Sequence, residues 1–371
     1  MFLSKIIKPN RCKILLKSKN LRSNYKNLLK KNKKQKLLPM IKANGYGHGL
    51  SWVIENLYDQ PHLYGFGVAT LSEALKARIV LNTLQSSLPI LVFSGATPLE
   101  EWMIEELKKN KLRPVITSIS DLKKILKYKI PYDLKFNTGM NRLGIEVKEL
   151  SKVKKLITPF PPITVLTHLA QAYRPRSSLS QLQKKNWIKI KSEIEICFPE
   201  IEFHIGNTGA ILKEKIWNLD SLGSIVRPGI GLYGSSGDLH TESSLKPVMS
   251  LFAQILSLRE ISKNDRVGYD GTYCASKKER IAQLGIGYGD GISRLYSDQG
   301  EVFHQKKRAK LVGRVSMDLL SVKAQPSWKV GQWVEIFGEN ITSDEIASLT
   351  QTISYEVLTS LTDRVQRVYV D

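Results

Sequence analysis

Lys42 stands in the segment MIKANGYGHG, at residues 40–49, directly after a short apolar run. A lysine at the end of a buried strand is desolvated, which lowers its pKa and makes the neutral amine available as a nucleophile. The glycines after Lys42 let the next loop turn tightly against a ligand. The segment therefore predicts Schiff-base chemistry at Lys42, although a lysine beside glycines is also common in plain solvated loops.

Two later segments contain the groups of an anion site. In HIGNTGA, at residues 204–210, the Thr208 hydroxyl stands where a helix is predicted to begin. In RPGIG, at residues 227–231, glycine lets backbone N–H groups approach an anion closely. Either segment alone is as typical of helix capping and turn formation as it is of anion binding. Together with Lys42 they predict a phosphate site, which barrel enzymes often form after their last two strands.

Strands and helices alternate through the first two thirds of the chain and must position these residues. Helical periodicity marks residues 19–34, 71–81, 100–107 and 177–197. Eight short apolar runs between turns predict strands, at residues 37–41, 64–69, 89–93, 113–117, 133–136, 163–167, 202–205 and 224–226. Alternating strands and helices imply parallel pairing, and eight such strands imply a closed barrel. Polar groups then gather at the carboxyl ends of the strands, where barrel enzymes place their chemistry.

The pattern changes after about residue 234, where strand-like stretches separated by glycine-rich turns replace helical periodicity. These stretches cover residues 249–258, 280–286, 308–315 and 330–337, and one further helix is predicted near 343–349. The predicted fold class is therefore α/β: a (β/α)8 TIM-like barrel followed by a mostly β C-terminal domain. We predict domain boundaries at residues 12–238 and 239–371, with residues 1–11 associated with the β domain.

Charge and cysteine usage exclude some classes of protein. The formal net charge of +22 comes from 56 Lys and Arg against 34 Asp and Glu, and no acidic residue precedes Glu55. A nucleic-acid-binding role is one reading of that charge, but no recognition motif accompanies it, so no nucleic-acid partner is expected. Three widely separated cysteines predict no disulfide framework and favour a cytoplasmic protein. No apolar stretch is long enough for a membrane helix, and no metal site is predicted.

Seven segments, in order along nearly the whole chain, resemble the alanine racemases, which are fold-type III pyridoxal-phosphate enzymes. They are MIKANGYGHG at 40–49, HIGNTGA at 204–210, VRPGIGLYG at 226–234, GYDGTY at 268–273, IGYGDG at 286–291, GRVSMD at 313–318 and SYEV at 354–357. One such match has little weight, but seven in the family's order are specific. The family's Ala-Asp pair after His168 is here Ala172-Tyr173, and Asn137 stands where the family commonly has Asp.

The resemblance implies a two-base racemase with pyridoxal 5′-phosphate as cofactor and alanine as substrate. Racemisation needs a base on each face of one carbon, because a single side chain does not easily reach both. By resemblance, Lys42 is the Schiff-base lysine and the base on the D-alanine side, and Tyr269 is the base on the L-alanine side. The family also implies a head-to-tail homodimer with sites shared between subunits, and a role in supplying D-alanine for peptidoglycan in the cytoplasm of a bacterium.

The remaining site residues are likewise assigned by resemblance. Lys135 matches a position that is often carbamylated in the family, where the modified side chain positions Arg142. Arg227 is expected at the pyridine nitrogen, with His168 behind it. The expected cofactor-binding residues are Lys42, Tyr46, His168, Asn207, Thr208, Arg227, Gly229, Ile230 and Tyr355; Arg142 and Met317 are expected to bind substrate, and Lys135, Tyr288 and Asp318 to support the site.

Three related functions stay open at this point. A racemase of broader specificity, for example towards serine, differs too little in its pocket to be distinguished. A non-catalytic pyridoxal-phosphate-binding protein with the same barrel lacks the β domain and therefore the second base, so Tyr269 argues against it. A decarboxylase with the same two-domain plan is expected to use an acidic partner for the ring nitrogen, and Arg227 speaks against that.

Overall fold

The computed structural model describes residues 11–238, 241 and 244–371, which form two compact units. We call one of them the barrel unit; it contains residues 22–232, 241 and 244. The other, the β unit, contains residues 11–21, 233–238 and 245–371. The boundaries that the sequence suggests, 12–238 and 239–371, stay a prediction, and the predicted placement of residues 1–11 lies outside the described residues except for Arg11.

The described part of the barrel unit contains a ring of eight parallel strands. They are Lys36–Leu37, Phe66–Val68, Ile90–Val92, Arg113–Ile116, Asp133–Asn137, Thr164–Leu166, Glu202–Asn207 and Ile225–Arg227, with Ile145–Glu146 paired beside the fifth. Where the first strand continues past Leu37, the Pro39 carbonyl accepts the Gly67 N–H of the second strand at 2.9 Å, and the Leu38 N–H donates to the Val226 carbonyl of the last strand at 2.8 Å. The first strand is therefore bonded on both sides, which closes the ring. The predicted barrel and its eight strands are confirmed.

Helices alternate with these strands, and several begin at side-chain caps. Thr70 forms a capping box with Glu73, while Ser118 and Ser177 each accept a backbone N–H three residues later. The helices are Ser18–Lys31, Leu50–Leu57, Leu71–Thr83, Glu101–Lys109, Ile119–Tyr128, Leu150–Ile157, Ser178–Cys197, Thr208–Leu212, Glu214–Trp217 and Leu219–Leu222. The four helices predicted in this region are present, with ends that differ by up to three residues.

The barrel interior is layered. Leu38, Leu91, Val115, Leu166 and Ile225 are almost fully buried and form one apolar cluster contributed by five strands. Side chains alternate along a strand, so the residues two before or two after a member of this layer also point inward. Truncating one such leucine to alanine costs about 2–5 kcal/mol of stability. The apolar layer therefore gives the polar groups above and below it a rigid support.

The β unit is built on one long strand, Met249–Ile261. This strand pairs antiparallel with Cys12–Lys17, Trp333–Phe337 and Glu279–Leu284. The remaining strands are Arg266–Val267, Tyr273–Cys274, Glu301–His304, Lys307–Lys310, Leu320–Lys323 and Gln366–Val370; the helices are Ser343–Leu349 and Ser354–Thr359. The predicted mostly β character and the helix at 343–349 are confirmed.

Three details of the β unit differ from the sequence-based expectation. One further helix was predicted, but a second, Ser354–Thr359, follows it. The strand expected over 308–315 ends at Lys310, and the chain turns at Gly313, whose φ of +76° suits glycine. The strand Cys12–Lys17 was not predicted at all, because its partners lie more than two hundred residues away in the sequence. Among the described residues, no helix has both the length and the apolar character needed to cross a membrane.

Candidate active site

Lys42 begins a left-handed turn at the carboxyl end of the first barrel strand. Ala43, Asn44 and Gly45 have φ values of +50°, +53° and +62°. Non-glycine residues seldom adopt this conformation, so neighbouring contacts must hold it. The Asn44 side chain accepts the Leu50 N–H at 2.9 Å, and the Gly45 N–H donates to the Ile41 carbonyl at 2.8 Å. The turn is therefore fixed on both of its flanks.

Glu73 ties this turn to the end of the second strand. Its carboxylate accepts the backbone N–H of Ala43 at 2.6 Å, of Ala69 at 2.8 Å and of Thr70 at 3.1 Å. The residue after Lys42 is thereby held by the same group that caps the next helix. Sequence reasoning missed this role, although the Thr70-x-x-Glu73 spacing is the signature of a capping box.

Four cationic side chains, Lys42, Lys135, Arg142 and Arg227, interact with one another in the barrel unit. Burial lowers the pKa of Lys42, and Arg142 lowers it further, while Glu73 opposes them. Burial also lowers the pKa of Lys135 to about 8, with added repulsion from Arg142, Arg227 and Lys42. Within the described residues, none of these four cations forms an ion pair with a carboxylate. This excess of positive charge fits a ligand with a phosphate or a carboxylate, and the lowered pKa values make neutral amines accessible.

Arg227 is buried in the barrel, and its guanidinium is held by acceptors from neighbouring strands. Nη2 donates to the carbonyls of Thr167 at 2.5 Å and Ile205 at 3.1 Å, and lies 3.4 Å from His168 Nδ1. Nη1 lies 3.0 Å from His204 Nδ1. Burial lowers the pKa of Arg227 to about 9, which leaves it charged at neutral pH. Burial and this cation lower the pKa of both histidines well below the usual value, so both are neutral.

The predicted phosphate residues of the barrel unit lie together. The Thr208 hydroxyl oxygen accepts the N–H groups of Gly229 at 3.1 Å and Gly231 at 3.2 Å. A Cβ atom on Gly229 would lie 2.6 Å from the Tyr46 hydroxyl, so only glycine leaves this space open. Ile230 is buried beside them. The hydroxyls and the space at Gly229 fit a phosphate group.

The side chains of two asparagines in the same unit accept backbone N–H groups and so fix the local backbone. Asn207 accepts the Ala210 N–H at 3.3 Å and so caps the helix Thr208–Leu212. Asn137 accepts the N–H groups of Gly139 and Asn141 and donates to the Glu146 carboxylate at 2.8 Å. Asn137 therefore orders the turn that leads to Arg142, so the replacement of the family's usual Asp leaves this turn intact.

In the β unit, Tyr269 lies at the tip of a short hairpin. The strands Arg266–Val267 and Tyr273–Cys274 pair on either side of it. Gly268 and Asp270 have φ values of +76° and +59°, and Asp270 forms an ion pair with Arg314 at 3.0 Å. The Tyr269 side chain is 68 % exposed. The hairpin thus presents a phenol on a constrained backbone.

Tyr288, Met317 and Asp318 form a second group in the β unit. The Tyr288 N–H donates to the Ser316 carbonyl at 3.0 Å, and a Cβ atom on Gly287 would lie 2.2 Å from that carbonyl oxygen. The Met317 and Tyr288 side chains are 52 % and 43 % exposed, whereas Asp318 forms an ion pair with Arg364. Tyr355 is half-buried on the helix Ser354–Thr359. The structure thus brings Tyr46, Thr208 and Gly229 together in the barrel unit, and Tyr288 and Met317 together in the β unit.

Comparisons with known proteins agree along the whole chain. The family model described as "Alanine racemase, N-terminal domain" matches residues 16–237, and "Alanine racemase, C-terminal domain" matches residues 248–369. The alanine racemase of Carboxydothermus hydrogenoformans is 33 % identical over 369 residues, which cover 95 % of this chain and 97 % of that protein. The alanine racemase of Rickettsia bellii is also 33 % identical, over 89 % of this chain and 80 % of its own length.

Solved structures give the same result. The alanine racemase of Acinetobacter baumannii superposes with a TM-score of 0.85 at 31 % identity, covering 98 % of this chain and 100 % of its own. A structure of the alanine racemase of Bartonella henselae, described as having covalently bound pyridoxal phosphate, gives 0.86 at 27 % identity, with 98 % and 100 % covered.

Proposed function

The chain belongs to the alanine racemase family of isomerases, and from this premise we propose that it interconverts L- and D-alanine with pyridoxal 5′-phosphate. Membership of the family confirms three predictions made from the sequence: the resemblance to alanine racemases, the fold class and the enzyme class. The observation that carries the proposal is the Lys42 amine: its pKa is lowered by burial, and it lies among three further cations without a paired carboxylate.

The cofactor supplies one chemical function when it is bound, which is to delocalise the electron pair left when the α-proton is removed. We propose that Lys42 holds it covalently. Arg227, a donor without an acceptor atom, would donate to the pyridine nitrogen and so keep it unprotonated, with His168 behind Arg227. Keeping that nitrogen unprotonated restrains electron withdrawal and so favours racemisation over transamination and decarboxylation. The phosphate is assigned to Tyr46, Asn207, Thr208, Gly229, Ile230 and Tyr355.

Two bases then act on opposite faces of the substrate carbon. Once the substrate amine has taken its place on the cofactor, the freed Lys42 amine would move the proton on the D-alanine side, because burial lowers its pKa and makes the neutral form accessible. Tyr269 moves the proton on the L-alanine side. Arg142 binds the substrate carboxylate together with Met317, and Lys135 positions Arg142. Tyr288 and Asp318 support Tyr269 and Met317 within the β unit.

We propose a homodimer in which these β-unit residues serve a second copy of the chain. Tyr269 and Met317 are exposed, at 68 % and 52 %, which suits side chains that act across an isologous interface. The cellular role that follows is the supply of D-alanine for peptidoglycan. A racemase that also accepts serine is the alternative, since one hydroxyl changes the demands on the pocket only slightly.

The proposal is tested by incubating the purified chain and pyridoxal phosphate with L-alanine and measuring D-alanine by chiral chromatography. L-Serine serves as the parallel substrate. Formation of D-alanine at a higher kcat/KM than D-serine is the expected result. Comparable rates on both substrates would favour the broader racemase. A chain that binds the cofactor covalently yet racemises neither amino acid would overturn the proposal in favour of a non-catalytic binding protein.

A further inference from the structure

A network of buried hydrogen bonds continues from Arg227 through the barrel interior, away from Lys42. His204 Nδ1 lies 3.0 Å from Arg227 Nη1, and His204 Nε2 lies 2.8 Å from the Thr164 hydroxyl oxygen. Thr164 Oγ1 lies 2.6 Å from Asp133 Oδ1, and Asp133 forms a two-pronged ion pair with Arg113. His204, Thr164 and Asp133 have no exposed surface. We call Arg113, Asp133 and Thr164 the Asp133 relay.

The lower end of this network fixes the direction of every bond in it. Two guanidinium donors of Arg113 face Asp133, so the carboxylate is ionised and accepts only. The Thr164 hydroxyl has one hydrogen, which it gives to Asp133. Its oxygen must then accept the hydrogen of His204 Nε2. Taken in order from Asp133 to His204, these bonds place the imidazole proton of His204 on Nε2.

The upper end gives the same answer independently. Arg227 has five N–H donors and no acceptor, so the His204 nitrogen that faces it must carry a lone pair. A neutral imidazole has one N–H, and with Nδ1 as acceptor that hydrogen lies on Nε2. A doubly protonated ring would place an N–H against the Arg227 guanidinium. Both ends therefore select one tautomer, in which each hydrogen shared between His204, Thr164 and Asp133 has an acceptor.

We propose that the Asp133 relay positions Arg227: Arg113 and Asp133, acting through Thr164, hold His204 with its proton on Nε2 and its Nδ1 lone pair on the Arg227 guanidinium. These residues touch neither substrate nor cofactor, and they act through His204. The consequence for catalysis rests on the proposed function, in which Arg227 faces the pyridine nitrogen. The tautomer of His204 is a property of the chain alone.

Barrel geometry explains how residues so distant in sequence form this network. Asp133 pairs in register with Thr164, and Leu166 with His204, on three adjacent strands. A buried ion pair seldom stabilises a fold more than apolar residues of the same volume. Its known use is to fix one arrangement of a polar network, which suits an arginine whose direction matters.

The first test measures the His204 tautomer by nitrogen-15 NMR on the full chain with histidine labelled, as purified with cofactor and again after its removal. The His204 signals are identified by their loss in His204→Gln. We expect one protonated nitrogen, Nε2, in both samples of the wild type. In Thr164→Val the proton should stay on Nε2, because Arg227 still faces Nδ1, but the Nε2–H signal should lose the downfield shift of a hydrogen-bonded proton, and Thr164→Ser should restore that shift. A wild type with its proton on Nδ1, or an Nε2–H signal that is unchanged in Thr164→Val, would overturn the proposal.

The second test separates positioning from stability. Thr350→Val, in the β unit, removes another buried hydroxyl, which donates to the Ile346 carbonyl at 2.7 Å, and is the matched control. We expect kcat of Thr164→Val to fall about tenfold with little change in KM, as for removal of an outer partner of a site residue. Thr164→Ser and Thr350→Val should stay within about twofold of the wild type. An unchanged kcat in Thr164→Val, with an active wild type, would overturn the relay.

The two proposals fail in distinguishable ways. A wild type that racemises no alanine overturns the proposed function, whereas the tautomer measurement still decides the relay. An active wild type with the wrong tautomer overturns the relay and leaves the proposed function intact.

Discussion

The two units hold their candidate residues in opposite ways. In the barrel unit, Arg227, His204 and Thr208 are buried, and each is held by hydrogen bonds. In the β unit, Tyr269 and Met317 are exposed by more than half, on a backbone that is nevertheless constrained. Burial adjusts the pKa of an amine and fixes a cation, whereas exposure leaves a side chain available to another molecule. The barrel unit therefore has the features of a binding site, and under the proposed function the β unit is a surface that supplies groups to the site of a second copy.

The comparison is tested most severely by removing the buried amine. Lys42→Ala should eliminate covalent cofactor binding and lower racemisation in both directions by at least about 10⁴-fold, because one residue supplies both the attachment and a base. Chiral chromatography measures the rates, and absorbance measures the bound cofactor. Lys152→Ala, which removes a half-exposed lysine paired with Glu149, is the control and should be unaffected. Racemisation by Lys42→Ala at a rate close to that of the wild type would contradict the assignment of both roles to Lys42.

The exposed phenol should be needed for only one face of the substrate. Tyr269→Phe should keep the cofactor and lose racemisation by about 10²–10⁴-fold, the usual contribution of a general base. In deuterated water, Lys42 should still exchange the α-hydrogen of D-alanine, while that of L-alanine exchanges far more slowly. Tyr369→Phe changes another exposed tyrosine of the β unit and serves as control. Equal loss of exchange for both enantiomers would contradict the assignment of one base to each face.

Mixing the Lys42→Ala and Tyr269→Phe chains tests whether one site contains residues from two copies. If a site takes Lys42 from one copy and Tyr269 from another, a mixed dimer has one intact site and one with both defects. After subunits are exchanged at equal ratio, half of the dimers are mixed, so about a quarter of the wild-type activity should return. Each variant incubated alone is the control. An inactive mixture that demonstrably contains mixed dimers would place both residues in the site of one chain.

The buried amines of the barrel unit should also make the free energy of unfolding depend on pH. In the folded chain the pKa of Lys135 is lowered to about 8, and its ordinary value is 10.5. Between these pH values the unfolded chain binds more protons, so the stability of the folded chain rises with pH. The wild type should gain up to about 3 kcal/mol relative to Lys135→Met from pH 8 to 10.5.

Urea unfolding of both chains in carbonate-free buffer measures this gain. Carbonate is omitted because a carbamylated Lys135 has no free amine to titrate. Lys152→Met, at an exposed position, should follow the wild type at every pH. Parallel curves for the wild type and Lys135→Met would mean that the Lys135 amine is not desolvated.

The sequence predicts the elements of the molecule better than the bonds between them. The barrel strands were expected from local apolar runs, and the Lys42, Thr208 and Arg227 segments from motifs that are contiguous in the chain. The contacts of His204 with Thr164 and Asp133 depend on the register of three strands, which no local pattern encodes. The sequence did contain one usable signal. Asp133 begins an apolar strand two residues before Lys135, so both side chains are on the same face of that strand and point into the barrel.

The smallest expected effect comes from the two capping boxes, one in each unit, which are matched in type. Thr70 accepts the Glu73 N–H at 3.2 Å, and Thr342 accepts the Glu345 N–H at 3.1 Å. Thr70→Ala and Thr342→Ala should each cost about 1 kcal/mol of stability in its own unit.

Of these two capping boxes, the Thr70 box is the one that contacts the turn at Lys42. The Glu73 carboxylate also accepts the Ala43 N–H beside Lys42, so a loosened Glu73 loosens the turn that aims the amine. We therefore expect kcat to fall in Thr70→Ala and to stay unchanged in Thr342→Ala, although thermal unfolding registers a similar loss of stability in both. Equal kcat values in the two variants would mean that the turn at Lys42 is held by the barrel strands alone, without help from the helix that follows the second strand.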